Sequence, residues 1–184
     1  MDATRERSDA EVVQSVLSGD RDAYRLLVRR YGDLLYGHVV RMVGDQDEAA
    51  DIVQEAFVTG YRKLASLDDP ERVGAWLFRI AANRAKDYLR QRSRKRHVGL
   101  EEARDASSRA QDPERETAKG EFRARLMEAL QRLTPEQREA FFLKHVEGRS
   151  YEEMARVLEA PVAALKMRAR RARLELQGLL EAYR

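Results

Sequence analysis

Apolar residues return at every third or fourth position along most of this chain, and no stretch alternates apolar with polar residues as a half-buried strand demands. A pleated strand cannot satisfy that period, so the pattern predicts an all-α fold. The prolines agree, since they lie outside periodic segments or at their starts. The first segment, Asp9 to Leu17, stops at Ser18-Gly19. A second starts near Asp20 and carries Tyr24, Leu27, Val28, Tyr31, Leu34, Leu35, Val39 and Met42 toward Gly44. The third opens on Asp45 with Glu48 three positions on, the form of a capping box. Its stripe of Ile52, Val53, Ala56, Phe57, Leu64 and Leu67 is expected to run until Asp69-Pro70 breaks it. The fourth segment reads "WLFRIAANRAKDYLRQRSRKR", residues 76–96.

Beyond Arg96 the periodicity dissolves into charged and small residues that cannot bury enough surface to order themselves, which predicts a flexible linker over residues 97–118. Two small helical domains then follow from the pattern, at 9–96 and 119–184. The second opens on Phe122, Leu126, Met127 and Leu130. It continues through Thr134-Pro135-Glu136-Gln137, where Thr134 can cap, Pro135 suits the first helical position and Gln137 closes the box. Gly148 ends one helix, and Ser150 with Glu153 caps the next.

Composition narrows the chemistry. No apolar run approaches the roughly 20 residues a membrane helix requires, and "MDATRERSDAEVV" lacks the apolar core of a secretion signal, so a cytoplasmic protein without membrane insertion is expected. The absence of cysteine excludes disulfides and thiolate zinc sites, and His38, His97 and His145 have no ligand-like spacing. "GDQDEAAD" lacks the glycine a calcium loop needs at its sixth position. No phosphate loop, dinucleotide fingerprint, metalloprotease motif or nucleophile elbow is found, so neither a cofactor nor an enzymatic activity is expected.

Net charge is only +3, yet the cations are concentrated. From Arg79 to Arg96 eight residues are basic and only Asp87 is acidic; from Lys166 to Arg173 five are basic and none acidic. "SYEEMARVL", a break at "EAP", then "VAALKMRARRARLEL" has the form of a helix-turn-helix. At about 100° per residue, Val162, Leu165, Ala169, Ala172 and Leu176 form a core stripe. The opposite side carries Ala163, Ala164, Met167, Arg170 and Arg171, flanked by Lys166 and Arg173 on one side and Arg168 on the other. Arginines there can reach guanine edges or phosphates, and the small and thioether side chains allow contact with thymine methyls.

The fourth helix has the same logic. Arg79, Asn83, Lys86, Asp87, Arg90 and Arg94 fall outward, and Leu77, Phe78, Ala81, Ala85, Tyr88 and Leu89 inward. Asn83 and Asp87 stand one turn apart among cations, which phosphate neutralisation alone does not require and base reading does. Trp76 can stack on an unpaired base or anchor the core. The third helix turns Asp47, Asp51, Gln54, Glu55, Val58 and Arg62 outward, an acidic and partly apolar face that suits a protein partner better than DNA.

Taken in order, these motifs resemble the extracytoplasmic-function group of bacterial RNA polymerase sigma factors. "DEAADIVQEAFVTGYRKL" is similar to the family's core-polymerase-binding segment, and "WLFRIAANRAKDYLR" to its minus-ten segment. "LTPEQREAFFLKHVEGRSYEEMARVL" with the basic helix after it resembles the minus-thirty-five-reading domain. The resemblance implies a transcription initiation factor whose first domain binds the clamp helices of core RNA polymerase and whose second sits near the flap. It implies that Asp51, Gln54 and Glu55, with Val58 among them, meet the polymerase. Trp76, Arg79, Asn83, Lys86, Asp87 and Arg90 would meet the minus-ten element, and a flipped base would be captured in the loop from Ser66 to Ala75. The helix from Pro161 to Leu176, through Ala164, Lys166, Met167, Arg168, Arg170, Arg171 and Arg173, would read the minus-thirty-five element. Promoter DNA and an anti-sigma factor are the further partners it implies.

The chain departs from the family at Val73-Gly74-Ala75, where relatives often carry larger side chains, and at Ala163-Ala164-Leu165-Lys166-Met167, which replaces Gly-Thr-Val-Lys-Ser. A free-standing helix-turn-helix regulator is the main rival. It accounts for the second basic patch but not for the Asn83–Asp87 pair or the acidic face. A scaffold protein would require that neither basic face bind DNA.

Overall fold

The computed structural model of the chain describes residues 7–98 and 118–181. Among these the chain is helical. Helices α1 (Asp9–Leu17), α2 (Tyr24–Val43), α3 (Gln46–Lys63) and α4 (Val73–Val98) make the first unit. Helices α5 (Ala118–Arg132), α6 (Pro135–Phe141), α7 (Tyr151–Leu158) and α8 (Val162–Glu181) make the second. The expected linker lies almost wholly outside the described residues, with α4 running through to Val98 and α5 beginning at Ala118.

Short polar side chains set the boundaries. Thr134 Oγ1 accepts from the Gln137 amide at 3.2 Å, and Gln137 Oε1 accepts from the Thr134 amide at 2.8 Å. Ser150 and Glu153 exchange the same pair of bonds at 3.1 and 2.7 Å, satisfying amides that a helix start leaves without intrahelical partners. At α3 the expected box is one-sided. Asp45 accepts from the amides of Asp47 and Glu48 at 3.0 and 3.1 Å, and Glu48 makes no return bond. Helix α3 also ends earlier than its apolar stripe implies. Its α-helical turns stop at Lys63, whose carbonyl accepts from the Ser66 hydroxyl at 2.7 Å, and one 3-10 turn, Leu64–Ser66, finishes the segment. Asp69 then caps a 3-10 turn, Pro70–Arg72, that leads directly into α4, so α4 begins three residues ahead of Trp76. The second segment likewise opens with a 3-10 turn, Arg21–Ala23, before α2.

Helices α2, α3 and α4 pack pairwise into a bundle crossed by α1, and α8 is the spine on which α5, α6 and α7 lie. Leu165, Ala169, Ala172 and Leu176 are buried as their spacing predicts. Helix α6 widens at its end into a π turn, Phe142–Val146, closed by Gly148 in the left-handed region at φ 70°. The two units also touch each other, through α4 with α6 and α7 and through α2 with α6, and they share one continuous apolar core.

Gly74 accounts for the small residue ahead of Trp76. A Cβ there would lie 2.5 Å from two atoms of the Tyr31 ring, which is held by the bond between its hydroxyl and Asp9. Gly74→Ala is expected to lower stability by about 1–2 kcal/mol in urea unfolding, the overpacking cost exceeding the gain in helix propensity.

Candidate nucleic-acid interface

In the helix-turn-helix, Glu159 takes the left-handed conformation at φ 49° and lets the chain turn from α7 into α8 through Pro161. The outward side of α8 presents Lys166, Met167, Arg170, Arg171 and Arg173 exposed, with Ala164 and Arg168 half-buried at its margins. No acidic side chain pairs with Arg168, Arg170 or Arg171 among the described residues. That surface is free to meet a phosphate backbone or a groove. Nearby, burial first and then the cations Arg173 and Lys144 push the His145 imidazole below its ordinary range.

On α4 the expected inward residues Leu77, Phe78, Ala81 and Ala85 are buried, Tyr88 and Leu89 are half-buried, and Ala82 joins the core as well. Asn83 and Asp87 are exposed, as base reading requires. The cations around them are not uniformly free. Lys86 Nζ lies 3.1 Å from Glu139 Oε2, with only 13% of its side chain exposed. Arg90 pairs with Asp87 at 2.7 Å and also with Glu136; Arg79 pairs with Glu159. Trp76 is half-buried and packs against the core. Together with Ser66, Leu67, Asp68, Asp69, Arg72, Ala75 and Arg79 it lines a cleft of about 140 Å³, closed on the other side by Arg156, Val157 and Glu159 of the second unit.

The acidic partners from the second unit were not legible from spacing, because each lies 46 or more residues from its cation. Burial pushes the Glu139 carboxyl up, and Lys86 and His38 only partly offset it. Glu136 moves the other way. Burial raises it, but a backbone amide and the Arg90 and Lys86 cations outweigh that and hold it below the usual carboxylate range. Arg138 is buried without a carboxylate; its guanidinium donates to the Leu130 carbonyl at 2.9 Å through Nε and to the Met42 carbonyl at 2.7 Å through Nη1. It thereby caps the carboxy-terminal turns of α5 and α2 together, where the helix dipoles favour a cation. Burial lowers its pKa to about 10, which leaves it charged at neutral pH.

The acidic face of α3 borders a different kind of surface. Asp51, Gln54, Glu55 and Val58 are all exposed, and Glu55 pairs with Arg84 of α4. Between α2 and α3 runs an open groove of about 590 Å³ whose walls include Val28, Tyr36, Val53, Phe57, Val58 and Tyr61. Tyr24 stiffens its floor by donating from its hydroxyl to the Phe57 carbonyl at 2.8 Å and stacking edge-on against Phe57 and Tyr61. Burial pushes the Tyr24 phenol well up, so it remains a donor. An apolar groove with an acidic rim has the makeup of a protein interface.

Among the described residues no group of side chains is placed to hold a metal ion, and no helix is long and apolar enough to cross a membrane. Residues 27–95 match the family model described as Sigma-70 region 2, and residues 123–176 match Sigma-70, region 4. The chain is 34% identical to the RNA polymerase sigma-H factor of Pseudomonas aeruginosa, covering 96% of this chain and 95% of that one. It is 34% identical to the ECF RNA polymerase sigma-E factor of Escherichia coli K12, covering 90% and 91%. Among solved structures, CnrH in complex with the cytosolic domain of CnrY matches with a TM-score of 0.66 at 29% identity, over 96% of this chain and 99% of that one. The sigma factor RpoE in complex with the anti-sigma factor NepR from Bartonella quintana matches with a TM-score of 0.60 at 28% identity, over 88% and 98%. These relations set aside the free-standing regulator and the scaffold: the chain belongs to the extracytoplasmic-function group of RNA polymerase sigma factors, non-enzymatic proteins that initiate transcription.

Proposed function

We propose that the chain directs core RNA polymerase to promoters through three surfaces with separate tasks. The apolar groove between α2 and α3, with Asp51, Gln54, Glu55 and Val58 at its rim, docks on the clamp helices of the polymerase. Helix α4 reads the minus-ten element, with Asn83 and Asp87 on base edges, Arg79, Lys86 and Arg90 on phosphates, and Trp76 beside the loop from Ser66 to Ala75 that captures an unstacked base. Strand opening follows from that capture and makes no covalent bond. Helix α8 reads the minus-thirty-five element near the flap. The observation that carries this reading is that the first unit has an exposed apolar groove on one side and exposed Asn83 and Asp87 within a cationic helix on another. A DNA-only reader has no use for the groove.

The factor acts in the cytoplasm, where core polymerase works, and an anti-sigma factor restrains it; the similar sigma factor RpoE from Bartonella quintana forms a complex with the anti-sigma factor NepR. Transcription with purified core polymerase and a library of promoter fragments tests the assignment. Specific starts are expected only when the factor is present; unchanged starts, or no association with core, would overturn it.

The α8 surface predicts how the minus-thirty-five element is read. Ala164 and Met167 occupy positions where hydroxyls are common in the family, so arginine contacts, methyl contacts and DNA shape carry recognition. Arg171→Ala is expected to weaken holoenzyme binding to a promoter fragment by about 1–3 kcal/mol, and Met167→Ser by less than about 0.5 kcal/mol. Equal losses in a binding titration would contradict this account.

A further inference from the structure

We infer that the crevice between the end of α4 and the α5–α6 turn is a binding site for a nucleoside di- or triphosphate, with the base against its apolar wall and the phosphates on its arginines. The inference does not depend on the assignment of α4 to promoter DNA. The crevice holds about 680 Å³, which admits a mononucleotide, whereas the cleft beside Trp76 is far too small for one. The α2–α3 groove is of comparable size, but no residue lining it is a cation. Here Arg90, Arg92, Arg94, Arg132 and Arg138 all line the walls, against one carboxylate, Glu128. That carboxylate pairs with Arg132 at 3.4 Å, and Arg90 is taken by Asp87 and Glu136. Arg92, Arg94 and Arg138 have no carboxylate partner among the described residues. Three uncompensated cations around one concavity favour an anion of about the same charge, which a nucleoside di- or triphosphate carries at neutral pH.

The helix period places the parts. At about 100° per residue, Leu89 and Ser93 of α4 face the middle of the crevice, with Arg92 on one lip and Arg90 and Arg94 on the other. Val43, Leu133 and Pro135 join Leu89 in an apolar wall against which a base can rest. The exposed Ser93 hydroxyl, set among guanidiniums, can donate to a phosphate oxygen. Arg138 is the buried cation of the set. It donates three bonds, two to the Leu130 carbonyl and one to the Met42 carbonyl, and the other two of its five N–H groups have no partner among the described residues. A guanidinium so placed attracts an anion more strongly than an exposed one, because less water screens it. A DNA strand spreads its charge evenly along a groove, whereas a terminal polyphosphate concentrates it in one place, as this crevice concentrates its arginines. Nucleoside triphosphates are also the monomers of the RNA whose synthesis this family starts, so the site has a use in sensing their supply.

Isothermal titration of the full chain with ATP, without magnesium, is expected to show one site with a Kd of about 10–100 µM. ADP should bind within a few-fold of ATP, and AMP about tenfold more weakly. Inorganic tripolyphosphate should also bind about tenfold more weakly than ATP, because it leaves the apolar wall uncovered. Ser93→Glu sets a carboxylate in the middle of the crevice and should weaken ATP binding by more than about tenfold; Arg92→Gln with Arg94→Gln should do the same. These side chains are exposed, so the unfolding temperature of the unliganded variants should match the wild type. Arg25→Gln with Arg29→Gln removes as much charge from an exposed part of α2 and should leave ATP binding unchanged. If that control loses as much affinity as the crevice variants, or tripolyphosphate binds as tightly as ATP, the attraction is diffuse and the site is overturned. Full ATP binding by Ser93→Glu would overturn it too. An oligothymidylate without terminal phosphates that displaces ATP at equal concentration, and is itself weakened by Ser93→Glu, would make the crevice part of a strand-binding path and overturn the nucleotide assignment.

Discussion

Val58→Asp is expected to weaken binding to core polymerase by about a hundredfold, while thermal unfolding shifts by no more than a few degrees. The two halves of that expectation have different origins. Val58 stands on the rim of the α2–α3 groove with 44% of its surface exposed, so a carboxylate there is solvated in the free chain and the bundle tolerates it. Once a partner covers the groove, the same carboxylate is desolvated beside Val28, Tyr36 and Tyr61, and no residue lining the groove is a cation. Losses of about 2–4 kcal/mol are usual when an apolar interface contact gives way to an unpaired charge, which corresponds to about 30- to 1,000-fold in affinity. Asp51→Asn should cost only a few-fold, chiefly in association rate, because rim charges steer encounter more than they hold the complex. Competition for core polymerase against a labelled wild-type chain separates the two. Comparable losses from both substitutions would show that the groove is not the anchoring surface.

What the sequence disclosed and what it withheld differ in range. Caps at Thr134 and Ser150 depend on partners three residues away, and the buried stripe of α8 depends on one helix period, so both are visible in a short window. The same holds for the exposure of Asn83 and Asp87. Pairing across the units is not local. Lys86 and Glu139 are far apart in the chain, and the charge of a helix face does not say which carboxylates will cover it. The outward face of α4 is cationic, as its spacing predicts, and three of its cations are paired with carboxylates of the second unit. His38 carried a local signal that went unused: it shares the spacing of Leu35, Val39 and Met42, and it is buried with them. The end of α3 was misjudged because an apolar stripe continues through a 3-10 turn as readily as through an α-helical one, and the Ser66 hydroxyl closes the helix first.

Glu147→Gln is expected to remove much of the acid sensitivity of the fold and to cost up to about 3 kcal/mol of stability at neutral pH. Burial raises the Glu147 carboxyl, but His38 beside it, then Arg149 and Arg41, outweigh burial and hold it at about 2 against an ordinary 4.5. Between those values the folded chain binds fewer protons at this site than the unfolded chain does. The stabilisation is thus complete above about pH 4.5 and disappears as pH falls toward 2; a difference of that size is worth about 3 kcal/mol. Glu139 has the opposite sign. Its raised pKa makes the folded chain hold the proton longer, so its contribution is largest in acid and declines as pH rises through the folded value. Glu147 and Glu139 therefore act on the interface from opposite sides, and removing Glu147 removes its share of the acid limb while Glu136, also held low, keeps its own. Urea midpoints at pH 7, 5, 4 and 3 should fall steeply for the wild-type chain and much less for the glutamine variant, the other carboxylates contributing equally to both. Parallel curves displaced by a constant amount would mean that Glu147 acts through packing and hydrogen bonding rather than through its charge.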